Sequence, residues 1–317
     1  MTAEMSQKEA MELWYGARKH SAQSPVATNT TGKSTGEVGS GMKIAIQGEH
    51  GSFSHEATIA MLPDAVVMPC SVSADVFNAL AQGSADGAVI PIENSLAGSV
   101  LEHFDLLLQH DVKVVRETQL RIRHNLIGIS STIEDIDRVF SHPVALAQCR
   151  KFLADHPKME SFAFYDTAGS VKQLVELRDR HAAAIASEAA AHFYGAQILR
   201  AGIEDNPENF TRFFLVRRAR EARFDADANK TSLAFSVENR PGSLVATLNE
   251  LSAMGTNLTK IESRPVHGKP WEYVFYVDCQ LHSADEGSRA VEVLKPHCAM
   301  VKELGRYVEA GKQGSGE

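Results

Sequence analysis

Cysteine is scarce and nowhere set in a binding pattern. Cys70, Cys149, Cys279 and Cys298 are the four in 317 residues, and no two form a Cys-x-x-Cys pair. Neither a zinc ribbon nor a disulfide framework is therefore indicated, and reduced thiols, as in the cytosol, are the default. No apolar run reaches the length that spans a bilayer, and no apolar segment of signal-peptide type stands near the start. Positive charge is also short: 32 Lys and Arg face 40 Asp and Glu, a formal net charge of −8. That argues against a nucleic acid or an anionic membrane as partner. An anionic ligand must then be held by local donors, not by a global field. No pair among His55, His124 and His142 has metal-ligand spacing, and no metal is expected. The turn Gly48-x-x-Gly51 lacks the third glycine of a dinucleotide fingerprint, and no cofactor is expected either.

What is present divides the chain by composition. Residues 1–41 read as a tail, with a helical stretch at Glu9–Arg18 followed by Ser21–Gly41, rich in Ser, Thr and Gly, which predicts disorder. Ordered structure is expected from Met42, itself a candidate start. From Lys43 to Val216 short apolar runs alternate with amphipathic stretches, the pattern of an α/β fold with mostly parallel sheets. Polar residues gather at strand-to-helix junctions in two halves, 42–121 with 201–217 and 122–200, which predicts a cleft between two lobes. Residues 218–229 are charged and read as a linker. Residues 230–308 follow the order βαββαβ of a ferredoxin-like module, with a hairpin turn at His267–Pro270 and a short tail at 309–317.

The most informative stretch closes the α/β part. Ala183–Ser187 reads as a strand, Glu188–Leu199 as a helix, and Phe213–Val216 as a buried strand, with a loop marked by Gly202, Asp205 and Pro207. Thr211 and Arg212 thus stand where a loop enters a strand, walled by Phe210 and Phe213. A hydroxyl beside a fixed cation suits a small anionic substrate that loses a hydroxyl group. Gly48–Ser54 is a glycine turn running into a helix, either a tight turn or a cradle of backbone N–H groups for an anion. The strand Asp86–Ile92, stopped by proline, sets Asn94 and Ser95 at its C-terminal end, where open sheets bind ligands and where helices are capped. Ser131–Glu134 offers a capping box. Ser141-His142-Pro143 and Asp166–Ser170 are further junctions with hydroxyl groups. His55, His124 and His142 read as structural histidines.

Taken in order, six motifs resemble those of the monofunctional prephenate dehydratases that carry a C-terminal ACT domain. They are Gly48-x-x-Gly51-Ser52-Phe53-Ser54, Pro91-Ile92-Glu93-Asn94-Ser95 with Gly98, Ser141-His142-Pro143 with Gln148-Cys149, Asp166-Thr167-Ala168, Ala186-Ser187, and Asn209-x-Thr211-Arg212-Phe213. Arg240-Pro241-Gly242-x-Leu244 and Glu262-Ser263-Arg264-Pro265 are similar to that family's phenylalanine-binding signatures. The resemblance covers roughly Lys43 to Arg306. It departs at Gly169-Ser170, where alanines are usual, and at Ser243, where the ACT loop usually has alanine.

The resemblance implies a two-lobed catalytic domain like the periplasmic binding proteins, followed by an ACT regulatory domain. It implies loss of carbon dioxide and water from prephenate, with Thr211 and Arg212 as the catalytic pair and Thr211 as proton donor. Arg212 is expected on the pyruvyl carboxylate or in the site's architecture. Ser52, Asn94, Ser95, Ser141, Gln148, Thr167, Ser187, Asn209 and Phe213 are expected around the substrate, and Glu93 in a structural role. L-Phenylalanine is the implied effector, bound by Asn239, Gly242, Ser243, Leu244, Glu262, Ser263 and Arg264, unless Glu262 and Arg264 merely pair with each other. A cytoplasmic homodimer or homotetramer goes with that picture. Arogenate dehydratase and a non-catalytic amino-acid sensor are the competing readings.

Overall fold

A computed structural model describes residues 41–130, 132–266 and 271–311. The expected tail up to residue 40, the capping serine Ser131, the hairpin turn at 267–270 and residues 312–317 lie outside the described residues. In the first lobe β1 (Lys43–Gln47) leads through a glycine turn into α1 (Phe53–Met61), and β2 (Val66–Cys70) into α2 (Ser73–Gln82). β3 (Gly87–Asn94) follows, with a two-residue β4 (Gly98–Ser99) folded back on its end, and then α3 (Leu101–Gln109). β5 (Val112–Arg121) carries the chain to the second lobe. That lobe holds β6 (Asn125–Gly128), β7 (Arg138–Ser141), α4 (Pro143–Gln148), α5 (Arg150–Asp155) and β8 (Glu160–Ala163). It continues with α6 (Thr167–Leu177), β9 (Ala182–Ala186), α7 (Glu188–Tyr194) and β10 (Gln197–Arg200), after which β11 (Phe210–Arg218) returns to the first lobe.

The sheets are mixed rather than mostly parallel. β1 lies parallel to β2 and β3, and β7 parallel to β8 and β9. β11 runs antiparallel to both β3 and β5, and β6 antiparallel to β9 and β10. Each crossing between the lobes delivers a strand that runs against the βαβ units beside it. Two local expectations also change. The helix predicted for Glu188–Leu199 stops at Tyr194, because Gly195 takes φ +69° and caps it, which frees Gln197–Arg200 to become β10. β3 does not stop at its proline: the register against β11 slips between Arg212 and Phe213, so Pro91 sits at a bulge, where its missing N–H is tolerated.

The C-terminal module has the expected order: β12 (Lys230–Ser236), α8 (Ser243–Ala253), β13 (Leu258–Pro265), β14 (Tyr273–Gln280), α9 (Asp285–Leu294) and β15 (Met300–Tyr307). Its sheet is not separate. β15 meets β5 in parallel at Gly305 and Val114, which makes one ten-stranded sheet in the order β13-β14-β12-β15-β5-β11-β3-β1-β2, with β4 paired to β3. A side chain at Gly305 would collide with the Val114 backbone, so the seam needs glycine there. Along β11 the side chains alternate. Phe213 and Leu215 pack with Ile44, Ile46 and Val89 beneath α1. Phe214 and Val216 join the opposite core, where Phe77 and Phe104 meet Tyr276, Leu304 and Tyr307 of the C-terminal module. Among the described residues no helix is long and apolar enough to cross a membrane.

Candidate active site

A cavity of about 480 Å³ lies between the lobes, a volume suited to a small organic ligand. Ser52 and Phe53 at the start of α1 and Asn94 at the end of β3 form its first-lobe wall. Gln148 at the end of α4 and Thr167 at the start of α6 form the second, and His124, Thr211 and Phe213 complete it. Among the described residues that line it, none is a lysine or an arginine. The glycine turn is fixed by its neighbours. Gly51 has φ +80°, and a Cβ there would stand 2.5 Å from the Ala190 Cα on α7. Ser187 caps α7 through Ala190 N at 3.0 Å and donates its hydroxyl to the Gly51 carbonyl at 2.5 Å. Asp166 caps α6 through Gly169 N at 2.8 Å and also accepts from Glu49 N across the cleft at 3.2 Å. Burial raises its carboxyl above the usual range.

A chain of amides crosses the floor of this cavity, and its polarity can be deduced. Leu96 N and Ala97 N donate to Asn94 Oδ1 at 3.0 and 2.8 Å. Backbone donors therefore fix the oxygen of that amide, and its Nδ2 faces the other way. Nδ2 donates to Asn209 Oδ1 at 2.7 Å and to Thr211 Oγ1 at 2.9 Å, with Phe210 O at 3.2 Å. Asn209 Nδ2 donates in turn to Gln148 Oε1 at 2.9 Å, and the same oxygen lies 2.9 Å from His124 Nε2. An amide oxygen only accepts, so His124 carries its proton on Nε2. The Thr211 oxygen is already an acceptor, which leaves its own proton for another group. Thr211 is a donor by construction of its surroundings.

Of the residues expected around a substrate, Ser52, Asn94, Gln148, Thr167, Thr211 and Phe213 line the cavity. Four do not. Asn209 is fully buried behind Asn94 and Gln148. The Ser95 hydroxyl bridges Glu208 O and Phe210 N, each at 2.9 Å, and Ser141 donates to Ile185 O at 2.6 Å. With Ser187 on Gly51, these side chains hold the walls and do not line this cavity.

Arg212 lies away from the cavity. One position along β11 from Thr211, it turns to the opposite face. Its Nε donates to Glu117 at 2.6 Å, Nη1 to Asp278 at 2.5 Å and Nη2 to the Tyr307 hydroxyl at 2.9 Å. The guanidinium rests on the Phe214 ring, 4.7 Å from its centroid. Lys230 also reaches Glu117, at 3.3 Å. Two cations thus face two buried carboxylates on the side of the sheet shared with the C-terminal module. Of the alternatives held open for Arg212, the architectural one matches this position. Glu93 is likewise held by a cation of that module, Lys260, at 2.9 Å.

His124 and His142, read from sequence as structural, also line the cavity, with Gln47, Ser71, Ile122 and Tyr165. Burial lowers both histidines below the ordinary imidazole range. No local signal marks these positions, because lobe closure alone brings them together.

The residues expected to hold an effector fall into two groups. Gly242 and Ser243 line a second cavity of about 340 Å³ with Arg240, Pro241 and residues 296–299. The Ser243 hydroxyl is buried there without a hydrogen-bond partner among the described residues. Asn239 is exposed and Leu244 half-buried in the module's core. Ser263 is exposed on β13, whose Glu262 and Arg264 do not pair with each other. Glu262 accepts from Ser99 at 2.8 Å and Arg264 meets Asp105 at 2.8 Å, both in the first lobe.

A family model described as prephenate dehydratase matches residues 44–221, and one described as ACT domain matches residues 231–286. A bifunctional chorismate mutase/prephenate dehydratase from Aquifex aeolicus (strain VF5) is 37% identical over 272 residues, spanning 85% of this chain and 74% of that protein. Arogenate dehydratase/prephenate dehydratase 2, chloroplastic, from Arabidopsis thaliana is 37% identical over 294 residues, spanning 89% of this chain and 77% of its own. Among solved structures, prephenate dehydratase in complex with L-Phe from Arthrobacter aurescens has a TM-score of 0.77 at 30% identity, over 86% of this chain and 91% of that one. GqqA, described as a novel type of quorum quenching acylase, also has a TM-score of 0.77, at 33% identity over 85% of this chain and 98% of its own.

Proposed function

The chain belongs to the prephenate dehydratase family and carries an ACT domain, and from that premise we propose how its cavity serves the decarboxylating dehydration of prephenate to phenylpyruvate. Aromatisation of the ring supplies the drive, so the protein has to help a hydroxyl leave and hold the ring in place. The observation that carries the reading is the Asn94–Thr211 hydrogen bond, which commits the Thr211 oxygen as acceptor and leaves its proton to donate. A leaving hydroxide becomes water, a very weak acid, so an un-ionised alcohol is a fitting donor. The substrate's carboxylates are held by backbone N–H groups at the starts of α1 and α6 and by nearby hydroxyls, since no lysine or arginine among the described residues lines the cavity. A strong salt bridge to the departing carboxylate would stabilise the ground state, and its absence suits the reaction. Incubation with prephenate and detection of phenylpyruvate tests this; a purified chain that makes none would overturn it.

Arogenate is a second substrate reading, favoured by the Arabidopsis relative, whose printed name carries both activities. The ratio of kcat/KM on the two substrates separates them. An acylase would need a base on its nucleophile, whereas the group bonded to the Thr211 oxygen is an amide donor.

L-Phenylalanine acts as feedback effector in this reading and binds at the Gly242–Ser243 cavity. The support is the ACT match and the L-Phe complex of the Arthrobacter relative. Isothermal titration with L-phenylalanine, together with inhibition of turnover, is the check. A cytoplasmic homodimer or homotetramer completes the proposal, to be tested by fractionation and by mass in solution.

A further inference from the structure

The ACT domain reaches the back of the active site through one strand. Side chains alternate along β13: Lys260, Glu262 and Arg264 turn to the first lobe, and Thr259, Ile261 and Ser263 to solvent. Lys260 Nζ donates to Glu93 Oε1 at 2.9 Å and to Ser99 Oγ at 2.7 Å. The Ser99 hydroxyl donates on to Glu262 Oε2 at 2.8 Å. Glu93 and Ser99 are paired across the short ladder of β3 and β4, and the next pair is Asn94 with Gly98. The ammonium thus clasps one rung of this hairpin from the ACT side. On the adjoining rung Asn94 turns the other way, to the cavity, and donates to Thr211. The Lys260 side chain is 9% exposed and lies over the Phe104 ring, so the clasp is held in place.

The orientation of Asn94 depends on this hairpin. Its oxygen is held by Leu96 N and Ala97 N in the connection between the two strands. Its Nδ2 therefore meets the Thr211 oxygen only while that connection keeps its place. The Ser95 hydroxyl pins the connection to Glu208 O and Phe210 N. The other arm is β4, two residues long and paired with β3, and so short a ladder is a weak hold by itself. Lys260 supplies the missing hold at Ser99. We propose, on the prephenate reading of this cavity, that Lys260 is a positioning residue for the dehydration, lent to the active site by the ACT domain. By keeping Glu93 and Ser99 together it sets Asn94 against Thr211, and it touches neither the substrate nor the reacting atoms. The same row of β13 contains its own comparison. Arg264 forks onto Asp105, which stands on α3 and not on the hairpin.

Lys260→Met keeps the methylenes beside Phe104 and removes the ammonium. The expected result is a fall in kcat of roughly 10-fold, with KM for prephenate within about 3-fold of wild type. In an Asn94→Ala background the same substitution should change kcat by less than about 2-fold, because the group that Lys260 positions is gone. Asp105→Asn, which loosens β13 from α3, should keep the wild-type kcat. Wild-type kinetics for Lys260→Met, equal falls in both backgrounds, a raised KM at unchanged kcat, or an equal loss in Asp105→Asn would each overturn the proposal. Should Lys260→Met fail to fold, Ser99→Ala gives up one hydroxyl of the same clasp. Its smaller fall in kcat should likewise vanish in Asn94→Ala protein; no fall, or one that persists there, refutes the route. A wild-type chain inert toward prephenate would instead refute the underlying reading.

Discussion

Thr211 and Arg212 are consecutive on β11, yet one takes a hydrogen bond from Asn94 at 2.9 Å while the other meets Asp278 of the C-terminal module at 2.5 Å. A pleated strand sends neighbouring side chains to opposite faces. One residue therefore belongs to the cavity and the next to the contact with the ACT domain. The Thr211 hydroxyl and the ACT domain are separated by the thickness of a single strand.

Thr211→Ala should lower kcat by roughly 10²–10⁴-fold, the usual worth of a positioned proton donor. Its melting temperature should stay close to that of wild type, because a small, nearly buried side chain is trimmed. Thr211→Ser keeps the hydroxyl and should keep part of the rate. Alanine with wild-type turnover would remove Thr211 from the chemistry.

Arg212→Leu should behave differently. It leaves Glu117 and Asp278 buried without their main cation, and breaking such a pair costs about 3–5 kcal/mol. The expected signature is a large loss of stability in chemical denaturation, with kcat per folded molecule falling less than for Thr211→Ala. The variant should also respond less steeply to L-phenylalanine. A stable variant with catalysis as damaged as that of Thr211→Ala would return Arg212 to the substrate.

Gly51→Ala should separate the lobes. The glycine has φ +80°, and the added methyl would sit 2.5 Å from the Ala190 Cα. Relief requires the β1–α1 turn to move off α7 and give up the Ser187 hydrogen bond. KM for prephenate is expected to rise and thermal stability to fall by about 2 kcal/mol or more. Unchanged kinetics would mean that the lobes close without this contact.

The buried histidines set a pH dependence whose sign can be worked out. Burial lowers both His103 and His124 below the ordinary value of 6.5. Between the lowered and the ordinary value the unfolded chain binds protons that the folded chain refuses, so stability rises with pH through that window. Their contribution is complete above about pH 6.5 and is lost as the pH falls below it. Asp166 and Glu56, whose carboxyls burial raises, act in the opposite sense. Comparing wild type with His103→Gln isolates the first effect: the gap in melting temperature should narrow from pH 7.5 to pH 5. A constant gap would contradict it.

The parts legible in the sequence are those written locally. Hydrophobic period marks the strands, and the order βαββαβ is plain from residue 230 onward. Ser52, Asp166 and Ser187 stand just ahead of helices in the sequence pattern, and in the structure each caps one. Gly195 was legible too, but the apolar residues after it continue a helical pattern and hide the break. The side of β11 on which Arg212 lies follows from alternation, yet its partners Glu117, Asp278 and Tyr307 lie far away in sequence and leave no local trace. His124 reads as structural, and its place in the cavity wall leaves no local trace either. The amide chain behind it joins residues from positions 94, 148 and 209, which only the closed fold brings together.

The single-residue seam at Gly305 and Val114 makes the border between the two matched families a feature of the sequence rather than of the architecture. A protein cut within residues 222–229 would leave β5 with a raw edge, Glu117 without Lys230, and an arginine without Asp278 beneath the residue after Thr211. The catalytic half taken alone is thus a sheet with one side torn open, and self-association through β5 is the fate to expect of it.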